Sequence, residues 1–357
     1  MSTHNSNMNN IPKKIVILGT GGTIAGKAAM STDNVGYTSA QVGVAQLLAA
    51  IPSLMGSNGA AQYGGYDLVS EQVAQVDSKD MNFAVWQQLL ARCAHWLAQS
   101  QTQGVVVTHG TDTLEETAFF LQATLNPSKP VVMACAMRPS TAVAPDGPQN
   151  LVDALAVAAN PDAKGVVAVC AGTIHSSFDV QKVHTTQLNA FSSGDAGAVG
   201  SVAEGKVCLY RNWPGNQKTV SNTDVAGEFI DYLAINNIVN RISTLNQLPR
   251  VEIVLNHNGT DGCIVEALLA QNASDRSVNE GQRVSGIVVA GTGNGTISTD
   301  LELALRAAQA AGVVVWRSTR CAFGKVIGKE NKEFSDSGGL SPFKARIALM
   351  LQLAAKQ

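Results

Sequence analysis

Two threonines stand where two apolar runs break into glycine. The run Lys14-Ile-Val-Ile-Leu18 passes into Gly19-Thr-Gly-Gly-Thr-Ile-Ala-Gly26, so the hydroxyl of Thr23 directly follows Gly21-Gly22. Glycine lets the backbone turn sharply and approach a ligand, leaving bare N–H groups beside that hydroxyl. A second segment has the same design: Gly104-Val-Val-Val-Thr108, then His109-Gly-Thr-Asp112, then a helix start at Thr113-Leu-Glu-Glu-Thr117. Two hydroxyl-bearing strand exits in one sheet point to an active site made of threonines.

A threonine nucleophile needs a base and an oxyanion hole. Gly22 and Thr111 are candidates to offer backbone N–H donors for that hole. Tyr37 lies in Ser31–Ser39, a loop rich in Gly, Ser, Thr and Asn that is able to fold over the strand exit as a lid. Plainer readings stand beside these. Thr23 can be a turn hydroxyl bonded to its own backbone, and Tyr37 can be packing. Asp112 can cap a helix, or hold a substrate ammonium or a lysine. Lys182 follows the Gly/Ser-rich stretch 172–179 and is either a solvated surface charge or a desolvated amine able to relay protons.

Other chemistries lack their loops. Gly19–Gly26 and Gly291-Thr-Gly-Asn-Gly295 both fail at the third glycine of a dinucleotide fingerprint, and neither a phosphate-cradling G-x-x-x-x-G-K-[ST] loop nor a G-x-S-x-G elbow occurs. Six histidines and six cysteines are scattered without metal-ligand spacing, so no metal is expected. Net charge is −2, 15% of residues are charged and 5% are aromatic, which disfavours nucleic acid and acidic membrane surfaces as partners. The polar N-terminus has no apolar signal region, and no apolar run approaches spanning length; the expected location is the cytoplasm.

The 357 residues, 45% hydrophobic, suffice for two cores. Apolar runs alternate with helical patterns, predicting an α/β fold: a larger N-terminal parallel-type sheet with helices on both faces, and a smaller C-terminal α/β domain. Expected strands are Lys14–Thr20, Gly104–Thr108, Pro130–Ala134, Gly165–Cys170, Val251–Leu255, Ser285–Ala290 and Gly312–Trp316. Expected helices are Asp80–Gln99, Asp112–Leu125, Pro148–Ala159, Thr299–Ala311 and Pro342–Ala355, the first two capped by their aspartates. The polar stretch between Tyr210 and Leu248 reads as a connector, giving domains over 1–213 and 248–357 with 214–247 between them.

Taken together, the residues carry a resemblance. From Lys14 to about Ala354 the chain resembles the bacterial asparaginase/glutaminase family. Thr20-Gly-Gly-Thr-Ile-Ala-Gly26 and Gly104-Val-Val-Val-Thr-His-Gly-Thr-Asp-Thr113 look like its two signatures. Met137-Arg-Pro-Ser-Thr141 with Asp146-Gly-Pro148, Asp179-Val-Gln-Lys182, Gly293-Asn-Gly295 and Arg317-Ser-Thr-Arg320 support them.

The resemblance implies a homotetramer of two intimate dimers, each site completed by a neighbouring subunit. It implies Thr23 as primary nucleophile with Tyr37 as loop partner, and Thr111 as a second threonine activated by Lys182. Asp112 and Ser78 resemble contacts for the substrate's amino and carboxylate groups, with Gly22 beside them. Thr296 stands where a polar residue is lent across the dimer, and Glu330 (alternatively Glu333) where an acidic one is. Two departures stand out. Lys79 replaces the usual glutamine or glutamate after Ser78, and would repel a substrate ammonium unless turned outward. Cys93 finds only Ser128 where secreted relatives often carry its disulfide partner, which favours a reducing compartment.

The expectation is hydrolysis of L-asparagine to L-aspartate and ammonia, without a cofactor. A glutaminase-asparaginase acting also on L-glutamine is the same-class alternative. A non-catalytic amino-acid sensor is the different-class one.

Overall fold

The computed structural model describes residues 13–56, 59–214, 237–274, 283–327 and 333–357. Among these, the first sheet has nine strands in the order β11-β10-β7-β6-β5-β4-β1-β3-β2. Its middle is β3 (Tyr66–Val76), β1 (Lys14–Gly21), β4 (Thr102–Thr108), β5 (Pro130–Ala134) and β6 (Gly165–Cys170), all parallel. Short antiparallel strands close the edges: β2 (Gln62–Tyr63) on one side, and β7 (Thr173–Ser176), β10 (Gly200–Ala203) and β11 (Lys206–Leu209) on the other. The second sheet is β12 (Arg250–Leu255), β13 (Val284–Gly291), β14 (Val314–Thr319) and β15 (Ser335–Asp336), all parallel. The expected larger and smaller α/β units are both present.

Why β1, β4, β5 and β6 read as largely unbroken apolar runs is visible in the packing. Successive residues point to opposite faces, and both faces are covered by helices. Val16, Leu18, Val105 and Val107 pack with Leu89 and Leu90 of α2 (Phe83–Leu97) and with Phe119 of α3 (Leu114–Leu125). Ile15, Ile17 and Val106 pack the other way, onto α1 (Val44–Ala49) and α4 (Gly147–Ala159) through Leu48, Leu151 and Leu155. The C-terminal helix Pro342–Lys356 joins the first of these layers and also meets Val251 and Val288 of the second sheet. One hydrophobic cluster therefore spans both sheets.

Several expectations need correction. Helix α2 starts three residues late, capped by Asn82, whose carboxamide oxygen accepts from the Val85 N–H at 3.2 Å. Asp80 instead sits in a 3-10 turn, Ser78–Asp80. Asp112 caps nothing: α3 follows Thr113 without a side-chain cap, because the Asp112 carboxylate is taken by a lysine. The last expected strand begins at Val314 rather than Gly312, whose φ of +86° belongs to the preceding turn. Residues 215–236 of the expected connector lie outside the described residues. Its end forms the helix Ile238–Thr244, with Ile238 and Ile242 buried in the shared cluster.

A buried polar clamp ties the helical layer to the sheet. The fully buried Gln122 on α3 accepts the Val166 N–H of β6 at 2.7 Å and donates to Asn126 at 3.1 Å. Gln122→Leu keeps the volume but strands a buried N–H, which costs about 1–3 kcal/mol. We expect the midpoint of urea unfolding, followed by circular dichroism, to drop accordingly; an unchanged midpoint would show that the clamp is dispensable.

Candidate active site

β1 and β4 are neighbours, with Gly19 paired to Thr108, and their C-terminal exits touch. The Thr20 hydroxyl donates to the Thr108 carbonyl at 2.8 Å, fixing the two ends together. Beyond this bond the turns are in backbone contact. A Cβ at Gly22, where φ is +81°, would lie 2.3 Å from Cα and N of Gly110. A Cβ at Gly110 would lie 2.4 Å from the Ser78 Oγ. No side chain fits at either position, so Thr23, Ser78 and Thr111 are carried on three segments pressed against one another.

The Thr23 Oγ1 lies 2.5 Å from the Tyr37 hydroxyl. Tyr37 is placed by the loop around it. Lys27 and Thr38 exchange backbone hydrogen bonds, and the Asp33 carboxylate accepts from the Val35 and Gly36 N–H groups, which lowers its pKa. The block 137–148 anchors this loop from below. Ser140 donates to the Gly26 carbonyl, Thr141 accepts from the Ala28 N–H, and Asp146 accepts from the N–H groups of Met137 and Arg138.

The second cluster is ionic. Lys182 Nζ donates to the Thr111 Oγ1 at 2.9 Å and to the Asp112 Oδ1 at 2.6 Å. Its own backbone N–H donates to the Glu115 carboxylate at 2.6 Å. Burial raises the pKa of Glu115, while the Lys344 and Lys182 ammonium groups pull it back. The Ser78 Oγ accepts from the Asp112 N–H at 3.2 Å, and the Ser78 carbonyl accepts from the Thr113 hydroxyl.

Sequence reasoning named most of these groups, with differences in detail. Gly22 lends no N–H, since it donates to the Val76 carbonyl at 3.0 Å. Neither the Thr23 N–H nor the Thr111 N–H meets an acceptor among the described residues. Lys79 is turned to the surface, 65% exposed, and bound by Asp77 at 3.0 Å. Thr296 is exposed at the end of β13, in a backbone bridge with Thr292, and bonds to none of the residues above. Glu330 lies outside the described residues; Glu333 is paired with Arg306 of its own chain at 2.5 Å.

Glu115 and Lys344 were missed. Lys344 is 1% exposed and donates to the Phe178 and Val180 carbonyls. Its signal was available, because Lys344, Ile347, Ala348 and Leu351 fall on one helical stripe and the others are core residues.

The chain is similar to known proteins along nearly its whole length. The family profiles "Asparaginase, N-terminal" and "Glutaminase/Asparaginase C-terminal domain" match residues 14–215 and 250–357. The chain is 36% identical to L-asparaginase 2 of Bacillus subtilis, over 95% of this chain and 82% of that one. It is 37% identical to L-asparaginase 2 of Escherichia coli (95% and 88%) and 35% identical to a glutaminase-asparaginase of Pseudomonas fluorescens (96% and 87%). The crystal structure of a probable cytoplasmic L-asparaginase from Campylobacter jejuni superposes with a TM-score of 0.78 at 34% identity, covering 96% of this chain and 95% of that one.

The buried histidines make stability depend on pH. Burial lowers His109 and His175 to about 4, whereas an unfolded histidine titrates near 6.5. Below about pH 6.5 the unfolded chain takes up protons that the folded one refuses until about pH 4, so stability falls with pH across that window. We expect urea midpoints to decline from pH 7 to 5, and His109→Asn to decline less steeply. Parallel slopes for the two proteins would refute the assignment.

Proposed function

The chain belongs to the asparaginase family, hydrolysing the side-chain amide of L-asparagine, and we propose that the hydroxyl of Thr23 delivers the attack. The amide carbon accepts Thr23 Oγ1, and the proton leaves through Tyr37 or through the Thr111–Lys182 pair. Ammonia departs, and water then releases L-aspartate from the acyl-enzyme. The N–H groups of Thr23 and Thr111 form the oxyanion hole. Asp112 and Ser78 orient the substrate's amino and carboxylate ends, which holds the amide against the nucleophile.

The observation that carries this reading is the contact of the Gly22 and Gly110 turns, which brings the Thr23–Tyr37 and Thr111–Lys182 pairs to one end of two adjacent strands. Lys79, drawn off by Asp77 and Asp80, leaves Asp112 as the acidic partner for a substrate ammonium. A broader glutaminase-asparaginase is the second reading, favoured by the relative of that name in Pseudomonas fluorescens.

The working unit is a homotetramer with shared sites. Thr296, exposed and unconnected to Thr23 within its chain, suits loan to a neighbour, and large apolar side chains such as Val183, Phe323 and Ile327 are half or more exposed. With Glu333 engaged by Arg306, Glu330 is the better crossing acid. The cytoplasm is the proposed location; Cys93 there is a free, fully buried thiol packed in the core, its pKa pushed up to about 12 by burial.

Thr23→Ala should fold with unchanged circular dichroism and lose ammonia release from L-asparagine by at least about 10³-fold; turnover within tenfold of the parent would sink the nucleophile assignment. Rates on L-glutamine at equal concentration decide between the two readings. Sedimentation velocity at assay concentrations should give the mass of four chains, and a monomer with full activity would refute site sharing.

A further inference from the structure

The ammonium of Lys344 lies on the C-terminal helix, in the layer between the two sheets, and is buried there. It donates to the Phe178 carbonyl at 2.8 Å and to the Val180 carbonyl at 2.6 Å. Those carbonyls belong to the tight turn that follows β7 and leads directly into Gln181–Lys182. The turn is further fixed by the Asp179 and Val180 N–H groups on the Ser176 carbonyl, and by an ion pair of Asp179 with Arg211 at 2.5 Å.

A neutral donor could have satisfied two carbonyls without the cost of burying a charge. The charge has a second target. Glu115, whose carboxylate accepts the Lys182 backbone N–H, is buried enough to favour its neutral form, and Lys344 is the first of the cations that oppose this. Burial in turn lowers Lys344 to about 8, and Glu115 and Asp179 pull it back up. His175 and Arg211 are the other titratable and charged groups on this side, and Lys344 disfavours protonation of His175. Carbonyls on one side and a carboxylate on the other thus fix the backbone on which Lys182 stands.

We propose that Lys344 is a positioning residue for the reaction: from the C-terminal helix it locks the 178–182 segment, whose Lys182 N–H is held by Glu115, and so aims the Lys182 ammonium at Thr111. This rests on the assignment of Lys182 as the partner of Thr111 in catalysis. Lys344 itself touches neither Thr23 nor Thr111 and acts only through the geometry of Lys182.

The test is a double-mutant cycle on the full-length protein, with kcat and KM for L-asparagine measured separately. Lys344→Met should lower kcat about 10- to 100-fold and leave KM within about threefold, in protein that is folded by circular dichroism. Added to Lys182→Met it should cause no further loss, because the group it aims is gone. Two results would overturn the proposal: a Lys344→Met enzyme with parental kcat, or losses that multiply in the double variant. Should Lys344→Met fail to fold, Glu115→Gln takes its place in the same cycle with the same expectations. A Lys182→Met enzyme with parental kcat would instead remove the underlying assignment, whatever Lys344 does.

Discussion

The closest approach in the molecule that matters for chemistry is between two glycines, Gly22 and Gly110. Each ends a strand, the strands are neighbours, and the backbone atoms meet where a methyl group would not fit. Everything else at this end of the sheet is arranged around that contact. The Thr20 hydroxyl ties the strand ends, Ser78 packs on Gly110, and the loop bearing Tyr37 is bonded back through Gly22 and Gly26. A larger residue at either turn would spread the strand exits and separate the Thr23–Tyr37 pair from the Thr111–Lys182 pair.

The second organising feature is a pair among the few charges buried in the described residues, which besides this pair include Asp153. Glu115 and Lys344 lie inside a chain in which 15% of residues are charged. Isolated, either would be costly; together, each offsets part of the other's desolvation. They stand on different parts of the fold, α3 and the C-terminal helix, and both hold the segment that carries Lys182, Glu115 through its N–H and Lys344 through the Phe178 and Val180 carbonyls. The smaller sheet therefore does more than complete a globular shape. Through one helix packed in a core shared by both sheets, it reaches the scaffold of the ionic cluster.

Much of this was legible in the sequence, for identifiable reasons. The strands β1, β4, β5 and β6, which read as unbroken apolar runs, are those with helices on both faces. The strand β3 was not foreseen, because Tyr-Asp-Leu-Val-Ser-Glu-Gln-Val-Ala-Gln-Val mixes polar residues into its period. Three of those polar residues have work in three dimensions. Gln72 accepts from the Val44 N–H, Gln75 donates to the Ala40 carbonyl, and Glu71 binds Arg92 and Trp96. At the site, residues in local motifs (Thr23, Thr111, Asp112) could be named from spacing. Gly22 was named for the wrong reason, since its N–H belongs to Val76 and its use is the absence of a side chain. Glu115 and Lys344 depend on contacts between distant segments, which no local pattern reports, although a lysine on an apolar helical stripe is a warning that a buried acceptor exists.

The second signature also contains a histidine, which raises the question of why hydroxyls and a lysine rather than an imidazole should handle the proton. His109 is fully buried, its Nδ1 lies 2.7 Å from the Gly110 carbonyl, and burial holds its pKa near 4. At neutral pH it is uncharged, with Nδ1–H donating to that carbonyl. A base for Thr23 or Thr111 must reach the hydroxyl; His109 Nδ1 is spent on the backbone of the turn, and the buried Nε2 meets no hydrogen-bond partner, neither threonine included. Its contribution is to hold the Gly110 peptide in the orientation that the contact with Gly22 demands. The groups that do reach the threonines are a phenol beside Thr23 and an ammonium beside Thr111. Chemistry in such a site is set by the placement of donors and acceptors, which is why rigid turns and a buried ionic scaffold matter more here than the intrinsic reactivity of any single side chain.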